Sequence, residues 1–234
     1  MSLSVIIPTF NEAHTVQRAI DSAWSIDANE VIVVDGGSCD QTVQIAQASQ
    51  AKVIFSVRGR GTQLNQGAKI ASGRILMFLH ADNAVSVDCG KQLRAEFQNP
   101  RIQFVCFYQR IENLSRIYRW IERGNWFRAR YRQLPYGDQA LTVTREAYDR
   151  VGGFDEIPLM EDVRFSRNLA REFPPEVLPG PLLVDDRRWR ERGPVRQTLR
   201  NWWTLLRFQC GATPERLAEF YHRGDSLPPG SDSQ

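Results

Sequence analysis

Through its first hundred residues the chain alternates short apolar runs with segments whose apolar residues recur at helical spacing. Leu3 to Pro8, Glu30 to Asp35 (EVIVVD), Lys52 to Val57 and Arg74 to His80 (RILMFLH) are near-continuous runs rich in apolar, often β-branched residues. They predict four strands, with Leu3 to Pro8 and Glu30 to Asp35 read as buried. Between them, Glu12 to Trp24 sets Val16, Ala19, Ile20 and Ala23 on one helical face, and Thr62 to Ser72 predicts a helix stopped by Gly73. Ser38-x-x-Gln41 matches a capping box that would open the intervening helix. Strands separated by helices of this length imply parallel β-α-β units and a doubly wound sheet.

Beyond about residue 100 the rhythm changes. Phe104 to Tyr108 and Gln139 to Thr144 read as strands, Leu114 to Arg132 and Glu161 to Phe173 as helices. Pro174, Pro175, Pro179 and Pro181 predict an irregular connection. Val195 to Phe208 reads as an amphipathic helix that gathers Leu199, Trp202, Trp203, Leu206 and Phe208, with Arg196, Arg200 and Arg207 alongside. That face suits a membrane surface or packing against the domain or a partner subunit. The expected organisation is one α/β domain over 1–190, made of two halves (1–108 and 109–190). A helical extension (191–225) and a disordered tail (226–234) would follow.

Composition adjusts this picture only slightly. With 234 residues, 42% apolar and 24% charged, the chain can bury one sizeable core. A formal charge of +3 gives no electrostatic case for a nucleic-acid partner. Cys39, Cys89, Cys106 and Cys210 are far apart, which argues against a zinc site or disulfide framework and fits a reducing compartment. No basic leader opens the sequence, and no apolar run nears the roughly 20 residues of a spanning helix. The expectation is a cytoplasmic protein, at most peripheral at the inner face of the cell membrane.

Ligands of parallel sheets bind outside the carboxyl ends of the strands. Three predicted strand ends carry polar clusters: Pro8-Thr9-Phe10-Asn11-Glu12, Asp35-Gly36-Gly37-Ser38 and His80-Ala81-Asp82-Asn83. Asp82 follows an almost wholly apolar strand, where one carboxylate and substrate phosphates suffice to hold magnesium or manganese. A turn aspartate is the bland alternative there. Arg58 and Arg60 flank Gly59-x-Gly61, a loop able to meet a diphosphate but lacking a P-loop signature.

Taken in order, LSVIIPTFNE (3–12), VIVVDGGSCDQT (31–42), FLHAD (78–82), Gly152-Gly153-Phe154 and Glu161-Asp162 resemble the family 2 glycosyltransferases. His-Ala-Asp, Tyr136-Gly137-Asp138-Gln139, Arg187-Arg188-Trp189 and Asn201-Trp202-Trp203 look like a bacterial subgroup described as radical-SAM/selenodomain-associated. The resemblance implies a GT-A (Rossmann-like), mostly parallel sheet flanked by helices, and inverting transfer of a sugar from a nucleoside-diphosphate sugar. It assigns nucleotide contacts to Pro8, Thr9, Asn11, Glu12, Asp35, Gly36, Arg60, Gln63, Ala81 and Asp82. Asp82, with His80 where the family often has an aspartate, would hold Mn2+ or Mg2+; imidazole is acceptable to manganese. Asp162 is the expected general base, with Glu161 as the alternative, at a helix start where the dipole favours negative charge. An acidic helix cap is the bland reading of the same pair.

Asp138 and Trp189 are the expected acceptor contacts. The Arg- and aromatic-rich stretch 108–136 would meet a saccharide or lipid-linked acceptor, or else simply divide between core and water. A homodimer is compatible with the sequence. Rival readings are a catalytically silent sugar-nucleotide-binding scaffold and a sugar-1-phosphate nucleotidyltransferase. The latter is disfavoured because residues 8–12 hold neither glycine nor a cation. A dehydrogenase is disfavoured because no G-x-G-x-x-G follows the first strand.

Overall fold

A computed structural model describes residues 2–222, so the predicted tail (226–234) lies outside the described residues. The strands are β1 (Leu3–Thr9), β2 (Glu30–Asp35), β3 (Lys52–Phe55), β4 (Ile75–Phe78), β5 (Asn83–Val85), β6 (Phe104–Ile111), β7 (Thr142–Thr144) and β8 (Glu176–Val184). They form one sheet in the order β3-β2-β1-β4-β7-β6-β8-β5. The first four are mutually parallel, as is the β6–β8 pair, while β7 and β5 run antiparallel to their neighbours. This is the expected α/β sheet.

The apolar runs of β1, β2 and β4 are continuous because both faces are covered, whereas the edge strand β3 is only partly buried and leaves Phe55 exposed. Leu3, Val5 and Ile7 of β1 pack with Val16, Ala19, Ile20 and Ala23 of α1 (Val16–Ser25). Ile6 enters a second core with Leu64 and Ala68 of α3 (Arg60–Ile70). Each Val, Leu or Ile among them contributes roughly 1.5–3 kcal/mol by leaving water. Between these helices lies α2 (Thr42–Ala48). The predicted Ser38 capping box does not form: Ser38 Oγ donates to Asp35 instead, and Asp40 Oδ1 accepts the Thr42 N–H at 3.0 Å. Asp40 offers a carboxylate where Ser38 offers a hydroxyl, and Ser38 is needed at the β2 turn.

The later helices are α4 (Val87–Glu96), α5 (Arg116–Tyr131), α6 (Arg145–Val151), α7 (Glu161–Ala170), α8 (Arg187–Arg192), α9 (Pro194–Gln209) and α10 (Pro214–His222). The connection predicted from Pro174 to Pro181 is instead strand β8. Pro179, Gly180 and Pro181 are tolerated because they bulge out of the ladder: Phe107 pairs Leu178, and Gln109 already pairs Leu182. α9 is turned opposite to the usual amphipathic helix. It buries Gln197 and Thr204, while Val195, Leu199, Trp202, Trp203 and Leu206 are 48–66% exposed.

Candidate functional site

Because β1, β2 and β4 are parallel, their carboxyl ends share one edge of the sheet, and Thr9 pairs in register with Asp35. Asp35 is fully buried and organises the turn after β2. It accepts hydrogen bonds from Thr9 Oγ1 (3.1 Å), Ser38 Oγ (2.5 Å) and the N–H groups of Gly37 and Ser38 (2.9 and 2.8 Å). Gln63 Nε2 donates to the carbonyls of Thr9 and Val34, both at 2.8 Å, which pins the first turn of α3 across the two strand ends.

A cleft of about 530 Å3 opens at this edge. Pro8, Thr9 and Glu12 line it from the end of β1, Arg60 and Gln63 from α3, and His80, Ala81 and Asp82 from the end of β4. Asn11, Asp35 and Gly36, named with them from sequence, are not part of this lining: Asp35 and Gly36 are buried and Asn11 is exposed. Asn11 Oδ1 accepts the Cys39 N–H at 2.9 Å, tying the β1 and β2 loops together. The C-terminal helices add Arg187, Arg200 and Tyr221, and Arg187 donates to Glu12 at 3.1 Å.

A second chamber of about 180 Å3 adjoins the cleft and shares Arg60, His80 and Asp82 with it. It gathers Asp138, Asp162 and Trp189. Asp162 is placed through the Gly-Gly-Phe segment. The Phe154 ring stacks on Phe165 of α7 at 3.9 Å and meets Phe78 of β4 edge-on at 4.8 Å. Asn65 of α3 bonds both the N–H and the carbonyl of Phe154, at 2.9 and 2.8 Å. The start of α7 is thereby fixed against the strand that carries His80 and Asp82. Asp162 Oδ2 accepts the Gly137 N–H and Oδ1 the Val163 N–H, each at 2.8 Å. Gly137 is where these groups come closest: a Cβ on it would lie 2.8 Å from His80 Nε2 and 3.1 Å from Asp162 Oδ2.

Glu161 points the other way, into the cleft wall, buried and ion-paired with Arg60. Burial pushes its carboxyl above the ordinary value, against the pull of Arg60. Desolvation opposes the Arg60 charge, but Glu161 and Asp162 outweigh it and hold the guanidinium protonated. The two neighbouring acids thus have different work, one holding an arginine and one facing the chamber.

The model of the family described as glycosyl transferase family 2 matches residues 4–154, more than half of the sequence. The chain belongs to glycosyl transferase family 2. Among relatives, the poly-beta-1,6-N-acetyl-D-glucosamine synthase of Staphylococcus epidermidis is 31% identical over 124 residues, covering 49% of this chain and 30% of the synthase. An uncharacterized glycosyltransferase of Rickettsia prowazekii is 30% identical over 121 residues, covering 48% of this chain and 38% of the relative. The chain therefore matches about a third of the length of these curated relatives. Among solved structures, TarS 1–349 of S. aureus in complex with UDP-GlcNAc aligns with a TM-score of 0.64 at 20% identity, covering 79% of this chain and 58% of that one. Glucosyl-3-phosphoglycerate synthase of Mycobacterium tuberculosis in complex with Mn2+ and UDP-glucose aligns at 0.56 and 21% identity, covering 79% and 69%. Both share the fold of this family 2 domain.

Within that fold, Arg187, Arg200 and Tyr221 at the cleft, and Gln197 and Thr198 at the chamber, were not assigned to the site from the sequence. The signal was present: Gln197, Asn201 and Thr204 recur at i, i+4 and i+7, a polar stripe on α9. Among the described residues no three His, Cys, Asp or Glu side chains form a metal cluster. No described helix is long and apolar enough to cross a membrane.

Proposed function

We propose that the chain moves a sugar from a nucleoside-diphosphate sugar, held in the larger cleft, to an acceptor hydroxyl in the adjoining chamber. Configuration inverts, and Asp162 is the general base. The observation that carries this reading is the position of Asp162 on the chamber beside, and not within, the lining of the donor cleft. A base there stands on the acceptor's side while the diphosphate leaves on the other. The acceptor oxygen forms its bond to the anomeric carbon and gives its proton to Asp162. The bond to the diphosphate breaks, and its electron pair leaves with the phosphate oxygen. Uridine is the first base to test, since the two fold neighbours are described with UDP-sugars.

One carboxylate and one imidazole at the end of β4, bordering both cavities, form a donor set compatible with manganese completed by donor phosphates. Asp82 and His80 would hold such a divalent cation (Mn2+ or Mg2+), which when bound would neutralise charge on the departing diphosphate. The outward row of Val195, Leu199, Trp202 and Trp203 suits weak contact with a lipid surface.

The test is release of nucleoside diphosphate from a panel of UDP-, GDP-, CDP- and dTDP-sugars with Mn2+, for the native chain and Asp162→Asn. Asparagine must turn its NH2 towards one of two backbone donors, so one hydrogen bond is lost and the Tm falls by about 2–4 °C per kcal/mol. Release from one donor, slowed at least roughly 100-fold in the variant with nucleotide affinity kept, supports the reading. Equal rates for the two proteins would remove Asp162 from the chemistry.

A further inference from the structure

Six buried polar atoms on residues around the second chamber have no hydrogen-bond partner: Asn83 Oδ1, Tyr136 OH, Asp138 Oδ1, Trp189 Nε1, Gln197 Oε1 and Thr198 Oγ1. Buried polar atoms are almost always paired, because an orphan carries an uncompensated desolvation cost. These six come from β5, the turn at 136–138, α8 and α9, four pieces of chain brought together around the chamber. α9 contributes by turning its polar stripe inward, with Gln197 and Thr204 buried and Trp203 outside, while the largely exposed Trp202 also borders the chamber.

The charges narrow the ligand. Asp82, Asp138, Asp162 and Asp185 border the chamber. Among its described residues both guanidiniums are already engaged. Arg60 pairs with Glu161; Arg128 donates to Leu134 O and Gln139 Oε1 and lies 3.3 Å from the Tyr136 ring centroid. An anionic group would meet carboxylates and no uncommitted described arginine. A neutral group rich in hydroxyls would meet donors and acceptors in need of partners. The chamber, about 180 Å3, has room for one sugar ring.

We propose that this chamber is the acceptor subsite and takes a neutral, hydroxyl-rich group of single-ring size, a saccharide end or a cyclic polyol, in preference to an anionic acceptor. The proposal rests on the transferase reading for the name acceptor, though not for the binding itself. The six orphan atoms are closed to solvent, so side chains around the chamber must turn before ligand hydroxyls reach them.

Saturation-transfer NMR on the full chain tests this with methyl glucoside, methyl N-acetylglucosaminide and myo-inositol as neutral probes, and glucuronate and 3-phosphoglycerate as anionic ones. UDP and Mn2+ are present, and UDP affinity is measured calorimetrically on the same samples. The expected result is binding of a neutral probe at least about tenfold tighter than either anion. Thr198→Val and Gln197→Leu each weaken it roughly fivefold, the worth of one hydrogen bond, with UDP affinity unchanged. Tighter binding of an anion, or UDP binding with no neutral probe bound, overturns the proposal. Neutral-probe binding sensitive to both substitutions in a protein that ignores UDP would uphold it and sink the donor reading instead. Silence towards both ligand classes would overturn both.

Discussion

Gly137→Ala is the most economical perturbation of the site, because the added methyl touches His80 and Asp162 at once. The backbone of Gly137 is not in the left-handed region, so alanine brings no conformational strain there. The cost is crowding. The new Cβ would stand 2.8 Å from His80 Nε2, 3.1 Å from Asp162 Oδ2 and 3.2 Å from Asp162 Cβ. Comfortable carbon contacts lie at about 3.5–4.0 Å, so one or both side chains must retreat by on the order of half to one ångström. Overpacking of this kind costs about 1–3 kcal/mol, read as a Tm lower by about 2–4 °C for each kcal/mol. A misplacement near 1 Å costs catalysis on the order of 100-fold. Diphosphate release and thermal melting measure the two effects separately, and UDP affinity should move by less than about threefold. Adding His80→Ala to Gly137→Ala should recover part of the lost melting temperature and not the activity, a non-additivity expected of residues in contact. A Gly137→Ala protein with native turnover and native Tm would refute the claim that the chemistry gathers around this glycine.

Two further outcomes follow from groups away from the chamber. At Glu30, burial opposes ionisation, but hydrogen bonds from Ser4, Ser72 and the Gly73 backbone outweigh it and hold the carboxyl below its ordinary 4.5. The stability it contributes is present above 4.5 and is lost as pH falls through the lower folded value. Glu30→Gln should thus melt about 2–4 °C lower at pH 7, with the gap closing in acid; a gap independent of pH would contradict this. Cys39 and Cys210 are exposed, whereas burial raises the thiols of Cys89 and Cys106. Two thiols should react quickly with a disulfide reagent in the native protein and four after unfolding; a third fast thiol would show that one of the buried pair is reachable.

Strands β1, β2 and β4 and their polar ends were legible because a strand buried on both faces must be an unbroken apolar run, and a parallel sheet brings those ends to one edge. β8 was hidden because proline normally ends a strand, and only the tertiary pairing of Phe107 and Gln109 shows where the bulge absorbs Pro179 and Pro181. β5 has three residues, too few for any period to register. Asp82, Asp162 and Asp138 were legible as candidates and do border one chamber. What the residues could not say is that Glu161 and Asp162, adjacent in sequence, face different cavities; that depends on the Arg60 partner and on how Phe154 seats α7. The role of α9 was missed for a physical reason as well. Its tryptophans dominate the pattern, and a polar stripe reads as the wet side of a helix until a cavity is found beneath it.

Calorimetric titration with UDP, GDP, CDP and dTDP, each with and without Mn2+, tests the donor cleft most directly. The account predicts that one diphosphate binds with micromolar affinity in the presence of metal, and that Asp82→Ala abolishes this while the protein keeps its fold. Absence of binding by every nucleotide in both conditions would contradict it.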